Sequence, residues 1–493
     1  MNRFFRSKKI RQATMALILS GVLLSSVTVE AVTQASKAPR TMLLADLFKK
    51  PSDDLGIDIY YQDESAEASA NKLSSVLFCL KDNYYRELSS SELFEAMAKG
   101  VVNSMDSKYT YYLEPEEHQV IEEEMSGEYV GIGCTVRLIE GVGFELSEPI
   151  ENSPAEQAGL LDGDVVLKVD GEDVSELKNA NELARRVRGE AGTTVELEIY
   201  RPSEKKTLSF KIERRKVEAI QVKSRMLDTK TAVIEIREFT MTLFPQFKAE
   251  MEKVLRAGAR QIVFDMRNNP GGEAETLQNC LDLLLDEGPI CAVYGRRDGE
   301  AYVEKWRTHD GKLSEDLRYA VLVNKNTASA AELFTGCLRD RLNVPVIGEQ
   351  TYGKGSGTIS YTLDDQSAVN ITIFRYFLPK AECIEGLGLV PTIPAELPEE
   401  THTKALRDLT EDEDTQLQEA LKYFAKGEKQ SDDPSEIEPE NPIGASDGDD
   451  EADGSVSAAP SASEAKDLSE LFAQYAGGQL GYLYNHLSQF FWI

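Results

Sequence analysis

Three short stretches of the sequence contain residues that could perform chemistry together. Ser329, in NTASAAELFTG, follows an apolar run at the expected start of a helix, where its hydroxyl can be exposed and N–H groups can meet an oxyanion. Lys354, in YGKGSGT, lies between two glycines that allow close backbone approach and burial of the amine. Burial disfavours the charged ammonium, so a buried lysine can serve as a general base. The Gly271–Gly272 pair, in DMRNNPGG, presents backbone N–H groups of the kind that an oxyanion hole requires.

Taken singly, each stretch has a more common interpretation. A serine at a strand-to-helix turn is usually a helix cap, an isolated lysine is usually a solvated surface charge, and a glycine pair usually makes a turn. The residues around Lys354 also approach the phosphate-binding pattern G-x-x-x-x-G-K. Gly355 replaces the hydroxyl residue that this pattern needs, and the following SGTISYTL predicts a strand, so ATP binding is the weakest interpretation.

The four histidines do not supply an obvious base for a Ser-His-Asp triad. None lies in a short catalytic motif: His118 and His309 are isolated, and His402 and His486 follow the region in which strands and helices alternate. A lysine base is therefore a reasonable alternative to a histidine base.

The composition excludes some classes of function. The 493 residues carry a formal net charge of −31 and are 41% hydrophobic, which suits a globular protein but not one that binds nucleic-acid phosphates through clustered Lys and Arg. The six cysteines contain no C-x-x-C pair, so we predict neither a zinc site nor a disulfide scaffold. Small buried side chains are the favoured interpretation of these cysteines.

Residues 1–31 have the pattern of an export signal. Five basic residues precede the apolar run 13–29, and Val29-Glu30-Ala31 resembles a cleavage site. The run also suits an uncleaved membrane anchor. We therefore expect a protein that acts outside the cytoplasm, either secreted or anchored through residues 13–29.

Composition and periodicity divide the rest of the chain. Apolar residues three and four apart indicate helices, short β-type runs with turn signals indicate a β-rich domain, and strands alternating with amphipathic helices indicate an α/β layered core. An acidic stretch without a core is predicted to be disordered. The predicted segments are a spacer (32–70), an N-terminal helical segment (71–125), the β-rich domain (126–215), the α/β core (216–395), a C-terminal helix (396–430), the acidic linker (431–466) and an apolar C-terminal segment (467–493).

The β-rich domain resembles a PDZ domain. The resemblance rests on EYVGIGCTV, which places two glycines at the mouth of a strand, and on the following SPAEQAGLLDGDVVLKVDG. PDZ domains bind an extended C-terminal peptide by adding it as a strand, while backbone N–H groups near a glycine loop hold its carboxylate. The resemblance implies that the peptide-binding loop comprises Tyr129, Val130, Gly131, Ile132, Gly133 and Cys134.

In their order along the chain, the three chemical stretches resemble the carboxy-terminal processing proteases, serine peptidases with an inserted PDZ domain. The similarity runs from the helical segment through DMRNNPGG, NTASAAE and YGKGS to the closing FRYFLPKAECIEGLGLVPTI. It implies an α/β (α+β) layered protease core, with Ser329 as nucleophile and Lys354, 25 residues later, as general base. Gly271 or Gly272 and the N–H of Ala330 would form the oxyanion hole. The resemblance implies no metal and no cofactor.

The same resemblance implies a function and contains two departures. It implies an exported endopeptidase that cleaves exported or unfolded proteins near apolar C-termini through an acyl-enzyme. Thr358 stands where the family usually has a glutamine that holds the lysine amine, and Pro391-Thr392 replaces the usual Pro-Asp. We interpret the chain as an active but divergent member. The alternative is a catalytically weak relative that acts as a PDZ-based binding protein.

The C-terminal segment, which ends in SQFFWI, has two open interpretations. An apolar end with a free carboxylate is the kind of ligand that a PDZ domain binds, and the acidic linker would keep it at high effective concentration. It would then be a self-inhibitor or a site of self-trimming. The segment equally suits a membrane-surface or assembly helix, and formation of a homo-oligomer stays open.

Overall fold

A computed structural model describes residues 64–439, except 106, 140, 298–299, 310, 314–315 and 402–403, together with residues 40–43, 58–61 and 491–492. The predicted export signal, most of the acidic linker and residues 467–490 lie outside this part of the chain. The chain divides into two compact units, residues 1–104 and residues 105–493.

The first unit contains an antiparallel strand pair followed by two helices. Its elements are β1 (Arg40–Leu43), β2 (Asp58–Tyr61), α1 (Glu64–Asn83) and α2 (Ser90–Asn103). Helix α1 begins within the segment that we predict to be a spacer. Helix α2 begins at a capping box, in which the Ser89 hydroxyl accepts from the Glu92 N–H (3.1 Å) and the Glu92 carboxylate accepts from the Ser89 N–H (2.8 Å).

The second unit contains the β-rich domain and the α/β core. Its helices are α3 (Pro115–Ser126), α4 (Pro154–Ala158), α5 (Ala180–Val187), α6 (Leu243–Arg256), α7 (Ala274–Asp282), α8 (Ala330–Leu342) and α9 (Thr415–Ala425). Its strands are β3 (Tyr111–Leu113), β4 (Glu128–Gly131), β5 (Thr135–Ile139), β6 (Gly143–Ser147), β7 (Val165–Val169), β8 (Glu172–Asp173), β9 (Thr194–Arg201), β10 (Lys206–Glu213), β11 (Arg215–Glu218), β12 (Val222–Met226), β13 (Thr231–Ile236), β14 (Gln261–Asp265), β15 (Gly288–Arg297), β16 (Glu300–Thr308), β17 (Arg318–Val323), β18 (Val346–Gly348), β19 (Ser356–Thr362), β20 (Ala368–Phe377), β21 (Ile393–Pro394) and β22 (Phe491–Trp492).

The β-rich domain is one sheet with helices packed on it, and it is inserted before the core. The strand order is β10-β9-β7-β6-β5-β22, with β8 paired to β7. Alternate residues of these strands, such as Val195 and Leu197, bury their side chains with Leu183 of α5. Strands β4 and β11 lead into and out of the domain and pair antiparallel, so the two connections lie side by side.

The core contains a six-stranded sheet in the order β12-β13-β14-β17-β18-β21, parallel from β13 onward. Helices α6, α7 and α8 cover one face and α9 covers the other. Phe264 of β14, for example, packs edge-on against Phe334 of α8, with 5.4 Å between ring centroids. Because both faces are covered, the strands are continuous apolar runs instead of alternating patterns.

The carboxyl ends of parallel strands lie at one edge of a sheet, where α/β proteins commonly bind ligands. The DMRNNPGG stretch follows β14, Ser329 follows β17, and Lys354 follows β18. These three strands are neighbours in the sheet. The topology therefore gathers the three chemical stretches, which span more than eighty residues of sequence, at the same edge.

A second, antiparallel sheet in the order β16-β15-β20-β19 completes the core, with β3 paired to β20. Strand β19 begins two residues after Lys354, so this residue lies between the two sheets of the core. One bulge, between Gly357 and Thr358, shifts the register of β19 against β20. Bulges are common next to active sites because they redirect side chains.

The first residues of the acidic linker are ordered on the core, contrary to the prediction of disorder from residue 431. The buried guanidinium of Arg341 donates two hydrogen bonds to the Asp432 carboxylate, each 2.6 Å long. The Ile437 N–H donates to the Pro379 carbonyl at 2.9 Å. A buried arginine needs an anionic partner, and this linker residue supplies one.

The mixed α/β fold with an inserted PDZ-like domain is confirmed. The interpretation of the cysteines as small buried side chains holds for four of the six, Cys134, Cys280, Cys291 and Cys337, whereas Cys79 is exposed and Cys383 is half-buried. Within residues 64–439 and the three short strands, no helix is long and apolar enough to cross a membrane.

Candidate active site

Ser329 occupies the turn between β17 and α8, as the sequence predicts. It is the N-cap residue of α8, and its N–H donates to the Glu332 carboxylate as in a capping box. Its backbone has φ 54° and ψ −120°, a conformation that non-glycine residues rarely adopt. Such strain is retained where the surrounding structure enforces it, and it is common at catalytic residues. The simple cap interpretation of Ser329 therefore does not account for this turn.

The buried carboxylate of Glu332, in the first turn of α8, connects Ser329 to the Lys354 loop. One oxygen accepts from the backbone N–H groups of Ser329 (2.8 Å) and Lys354 (2.9 Å). The other accepts from the Gly353 N–H (2.8 Å) and from the Thr351 hydroxyl. Burial raises the pKa of Glu332, while these four donors act in the opposite direction. Glu332 thus fixes the backbone of both candidate catalytic residues.

Tyr376 of β20 makes a second connection between the same two residues. Its hydroxyl lies 2.8 Å from the Lys354 carbonyl oxygen and 3.2 Å from the Ser329 carbonyl oxygen. Its ring is buried, and burial raises the pKa of Tyr376 far above the ordinary value, so the hydroxyl stays a donor. Two buried side chains therefore hold Ser329 and Lys354 in one rigid unit, although no hydrogen bond joins the Ser329 hydroxyl directly to the Lys354 amine.

The environment of the Lys354 amine suits a proton acceptor. The amine lies over the ring of Tyr109, 4.9 Å from the ring centroid. Burial lowers the pKa of Lys354, and the nearby carboxyls of Glu385 and Glu332 oppose that shift in part. The Lys108 amine lies 4.8 Å from the centroid of the same Tyr109 ring, and its charge lowers the pKa of Lys354 as burial does. Lys354 is half-buried, but its amine lies against an aromatic ring and near two carboxyls, which distinguishes it from an isolated surface charge.

Two of the polar atoms in this corner are buried without a hydrogen-bond partner among the described residues: Oε2 of Glu385 and the hydroxyl of Tyr109. Glu385 packs against the Lys354 loop so closely that a Cβ added at Gly355 would lie 2.5 Å from the Glu385 backbone nitrogen. Buried groups of this kind are rare in folded proteins and are often found at functional sites. The sequence analysis did not single out either residue.

The glycine turn after β14 lies directly against Ser329. A Cβ added at Gly271 would lie 2.7 Å from the Cβ of Ser329 and 2.8 Å from the backbone nitrogen of Ala330. Gly271 also has φ 103°, which excludes most other residues. The turn therefore requires glycine both for its backbone conformation and for its approach to the serine.

The individual N–H groups of this turn are not equivalent. The Gly271 N–H donates to the side-chain oxygen of Asn269 at 2.8 Å. The N–H groups of Gly272 and Ala330 have no acceptor within the described part of the chain. Of the three predicted oxyanion-hole residues, Gly272 and Ala330 thus have available donors, whereas Gly271 already uses its own.

Thr358 lies on β19 opposite Thr372, immediately after the bulge. The hydroxyl of Thr372 bonds with Ser107 (3.0 Å) and Thr110 (3.3 Å). No hydrogen bond joins Thr358 to Lys354. The structure therefore does not bring the predicted substitute for the family glutamine into contact with the lysine amine.

Neither described histidine belongs to this site. The ring of His118 lies 3.1 Å from the Gln366 carbonyl oxygen and 3.4 Å from the Glu122 carboxylate, and that of His309 lies 3.3 Å from the Asp282 carboxylate. His402 and His486 lie outside the described residues. Neither histidine within the described part of the chain is therefore placed to act as a base for Ser329.

The predicted peptide-binding loop passes between β4 and β5. Its side chains Tyr129, Ile132 and Cys134 are buried, so the backbone is the part available to a ligand. The N–H groups of Gly133 and Cys134 have no acceptor among the described residues. A Cβ at Gly133 would lie 2.4 Å from the Ser153 side chain, so glycine is required where the loop passes α4.

A cleft of about 800 Å³ lies beside this loop. Its lining includes Tyr129 and Thr135 of the PDZ-like domain and Asn268 and Pro270 of the glycine turn, but not Ser329 or Lys354. Burial, together with the Glu124 carboxyl, raises the pKa of Glu238 in this cleft to about 8. The cleft therefore extends from the predicted peptide-binding loop to the glycine turn.

Glu332 and Tyr376 are positioning residues that the sequence analysis missed. The S-x-x-E spacing of Ser329 and Glu332 is a capping-box signal, so Glu332 could have been found from sequence as a partner of the Ser329 N–H. Its bonds to the Lys354 loop could not, because they depend on how β18 and α8 pack. Tyr376 has no local signal of this kind.

Replacing Glu332 by glutamine is expected to lower both stability and activity. The amide has one acceptor oxygen for four donors, so buried N–H groups lose their partners at about 1–3 kcal/mol each. We expect a destabilisation of about 2–4 kcal/mol and a fall in kcat/KM of about 10–100-fold, measured by urea unfolding and by peptidase assay. Glu349→Gln is the matched control, because Glu349 directly follows β18 and its described hydrogen bond is made by its backbone N–H, to the Val323 carbonyl, which the substitution retains. Unchanged kcat/KM in Glu332→Gln would contradict the positioning role.

Comparison with known proteins agrees with this geometry. Residues 230–395 match the model of peptidase family S41, and residues 145–201 match a PDZ domain. The chain is 31% identical to carboxy-terminal processing protease CtpA of Bacillus subtilis over 335 residues, which are 68% of this chain and 71% of the relative. It is also 31% identical to a probable CtpA-like serine protease of Staphylococcus aureus, over 67% of this chain and 66% of the relative.

Solved structures with similar folds include the photosystem II D1 C-terminal processing protease, which is 24% identical and covers 70% of this chain and 91% of its own, with a TM-score of 0.41. A putative S41 protease from Bacteroides fragilis is 18% identical and covers 75% and 99%, with a TM-score of 0.47. With a relative at 31% identity that spans two thirds of both chains, and with matches to both domain models, this protein belongs to the carboxy-terminal processing proteases, the PDZ-containing serine peptidases of family S41.

Proposed function

We propose that this protein is an active endopeptidase that uses Ser329 as nucleophile and Lys354 as general base. The observation that carries the proposal is the shared support of the two residues. Glu332 accepts from the N–H of both, Tyr376 donates to the carbonyl of both, and the Lys354 amine lies against the Tyr109 ring. A serine and a lysine with unrelated structural roles would not need this common framework.

In the proposed mechanism, the neutral Lys354 amine takes the proton of the Ser329 hydroxyl as the oxygen attacks the scissile carbonyl carbon. The oxyanion that forms accepts hydrogen bonds from the N–H groups of Ala330 and Gly272. Lys354 then gives the proton to the leaving amine, which releases the C-terminal fragment and leaves an acyl-enzyme. A water molecule, deprotonated by Lys354, hydrolyses the ester and restores the serine.

We further propose that the substrates are exported or unfolded polypeptides with apolar C-termini, recognised by the PDZ-like domain. The buried side chains of the predicted peptide-binding loop, and its Gly133 and Cys134 N–H groups, which have no acceptor among the described residues, support recognition through backbone hydrogen bonds. The cleft between the loop and the glycine turn supports a threaded, extended substrate. The N-terminal pattern of basic and apolar residues supports activity outside the cytoplasm.

A catalytically weak, PDZ-based binding protein is the second candidate, and one observation favours it. Thr358 makes no hydrogen bond to Lys354, so the group that usually holds the lysine amine in this family has no direct replacement at that position. The lowered pKa of Lys354, which burial causes, and the shared support by Glu332 favour the enzyme instead.

The two candidates differ in their reaction with a fluorophosphonate probe, which phosphonylates activated serines. The enzyme is expected to carry one label on Ser329, located by peptide mass spectrometry, and to cleave an unfolded protein with an apolar C-terminus. Ser329→Ala should carry no label, whereas Ser203→Ala, which removes an exposed hydroxyl in the turn between β9 and β10, should keep it. An unlabelled wild-type chain that still binds the substrate would favour the binding protein.

A further inference from the structure

The last described residues of the chain extend the sheet of the PDZ-like domain. Strand β22 pairs antiparallel with β5, with Phe491 opposite Val136 and Trp492 opposite Thr135. It lies at the edge of the sheet and next to helix α5. Without β22, β5 would be an edge strand with a row of unpaired backbone groups, because its other neighbour is β6.

The position of β22 is that of a peptide ligand in β-strand addition. In this binding mode, an extended peptide pairs with an exposed edge strand, its backbone supplies the affinity, and neighbouring pockets select its side chains. Strand β5 begins immediately after the Gly131–Cys134 loop, whose Gly133 and Cys134 N–H groups have no acceptor among the described residues. The pair Trp492–Thr135 lies at the loop end of β5, so the chain in β22 runs toward these donors.

We propose that the segment containing Phe491 and Trp492 is an in-cis ligand of the PDZ-like domain, which occupies the groove between β5 and α5 and competes there with substrate. The ligand class is an extended peptide ending in aromatic and aliphatic residues, as in SQFFWI. This inference deepens the proposed function, since it identifies what a substrate must displace. The effect of the bound tail on activity rests on the proposed peptidase function, whereas binding of the tail to the PDZ-like domain does not.

The length of the chain makes binding in cis favourable. Residues 440–490 join the core-packed end of the linker, which includes Ile437, to β22. An unstructured chain of this length has a root-mean-square span of about 40 Å, comparable with the size of a domain. A ligand tethered in this way has an effective concentration on the order of millimolar. A weak intrinsic affinity would therefore suffice to fill the groove.

The test measures binding of a fluorescein-labelled SQFFWI peptide to the full chain carrying Ser329→Ala, which removes the proposed nucleophile. We expect the chain that lacks residues 488–493 to bind the peptide at least about 10-fold more tightly than the intact chain, because the groove is then empty. The full-length double variant Phe491→Asp/Trp492→Asp should match the truncated chain. The matched control Leu480→Asp/Tyr482→Asp, in the same tail, should match the intact chain.

A second measurement distinguishes cis from trans binding. In a Trp306→Phe background, Trp492 is the remaining tryptophan of the chain. A tryptophan-free competitor peptide, SQFFFI, is expected to shift its emission to longer wavelength, at a midpoint independent of protein concentration. A midpoint that rises with protein concentration would mean that the tail binds a second copy and would overturn the proposal, as would equal peptide affinity of the intact and truncated chains. A fluorophosphonate-unreactive protein that still passes both tests would overturn the proposed catalysis alone.

Discussion

Ser329→Ala is expected to reduce kcat at least about 10⁴-fold, because it removes the atom that forms the acyl-enzyme. Residual turnover would come from the oxyanion hole and substrate positioning alone. KM should change little, since the Ser329 hydroxyl acts in the reaction and does not help to bind the substrate. The measurement is steady-state cleavage of an unfolded protein with an apolar C-terminus, with label at Ser329 as an independent check.

The stability of Ser329 variants separates a catalytic from a structural role. Alanine retains the Cβ and therefore the strain of φ 54°, so we expect the unfolding free energy of Ser329→Ala to stay within about 0.5 kcal/mol of the wild type. Glycine adopts this conformation without strain, so Ser329→Gly should be more stable by about 1 kcal/mol while remaining inactive. A Ser329→Ala chain that keeps wild-type kcat would rule out Ser329 as the nucleophile.

Lys354→Ala is expected to reduce kcat at least about 10³-fold, and Lys354→Arg should be equally inactive. Arginine stays protonated at any pH at which the protein is folded, so it cannot accept the serine proton. Lys325→Ala is the matched control, because Lys325 is an exposed lysine in the loop before Ser329 and should retain full activity. An active Lys354→Arg chain would contradict a role for Lys354 as base.

The pH dependence follows from the lowered pKa of Lys354. The amine accepts a proton only in its neutral form, so kcat should rise with pH, with a midpoint below the ordinary lysine value of 10.5, because burial lowers the pKa of Lys354. Below that midpoint the ammonium form predominates and the rate falls tenfold per pH unit. The residual kcat of Lys354→Ala should not show this rise with pH. A second change in kcat near pH 8 would come from titration of the Glu238 carboxyl in the cleft, and Glu238→Gln should remove it.

Much of the fold follows from local patterns in the sequence. The apolar runs that became β14 and β17 are each followed by turn residues and a helix, and the run that became β18 is followed by the glycine-rich loop of Lys354. Alternation of strands and helices predicts a parallel sheet with its loops at one edge. The glycines around Lys354 and at Gly271–Gly272 indicate close backbone approach. Ser329, Lys354 and the glycine turn could therefore be found from sequence, because the sequence pattern that identifies each of them lies within a few positions of it.

The details of the site depend on contacts between distant parts of the chain. Glu385 reaches the Lys354 corner from the closing motif, and Tyr376 reaches it from another sheet. The Gly271 N–H is taken by Asn269, whose side chain is fixed in turn by the Ile236 carbonyl at 2.8 Å. No pattern in the sequence near Lys354 predicts these contacts, since they arise from the packing of whole elements.

The sequence by itself determined the family, the domain order, the candidate nucleophile and base, and the aromatic C-terminal segment as a candidate ligand. Periodicity, glycine placement and motif spacing are local properties, and each is readable along the chain. Only the tertiary structure decided that Glu332 and Tyr376 hold the pair, that Thr358 makes no hydrogen bond to the lysine amine, and that β22 lies on β5. These depend on backbone pairing and side-chain packing between residues up to 357 positions apart, such as Thr135 and Trp492.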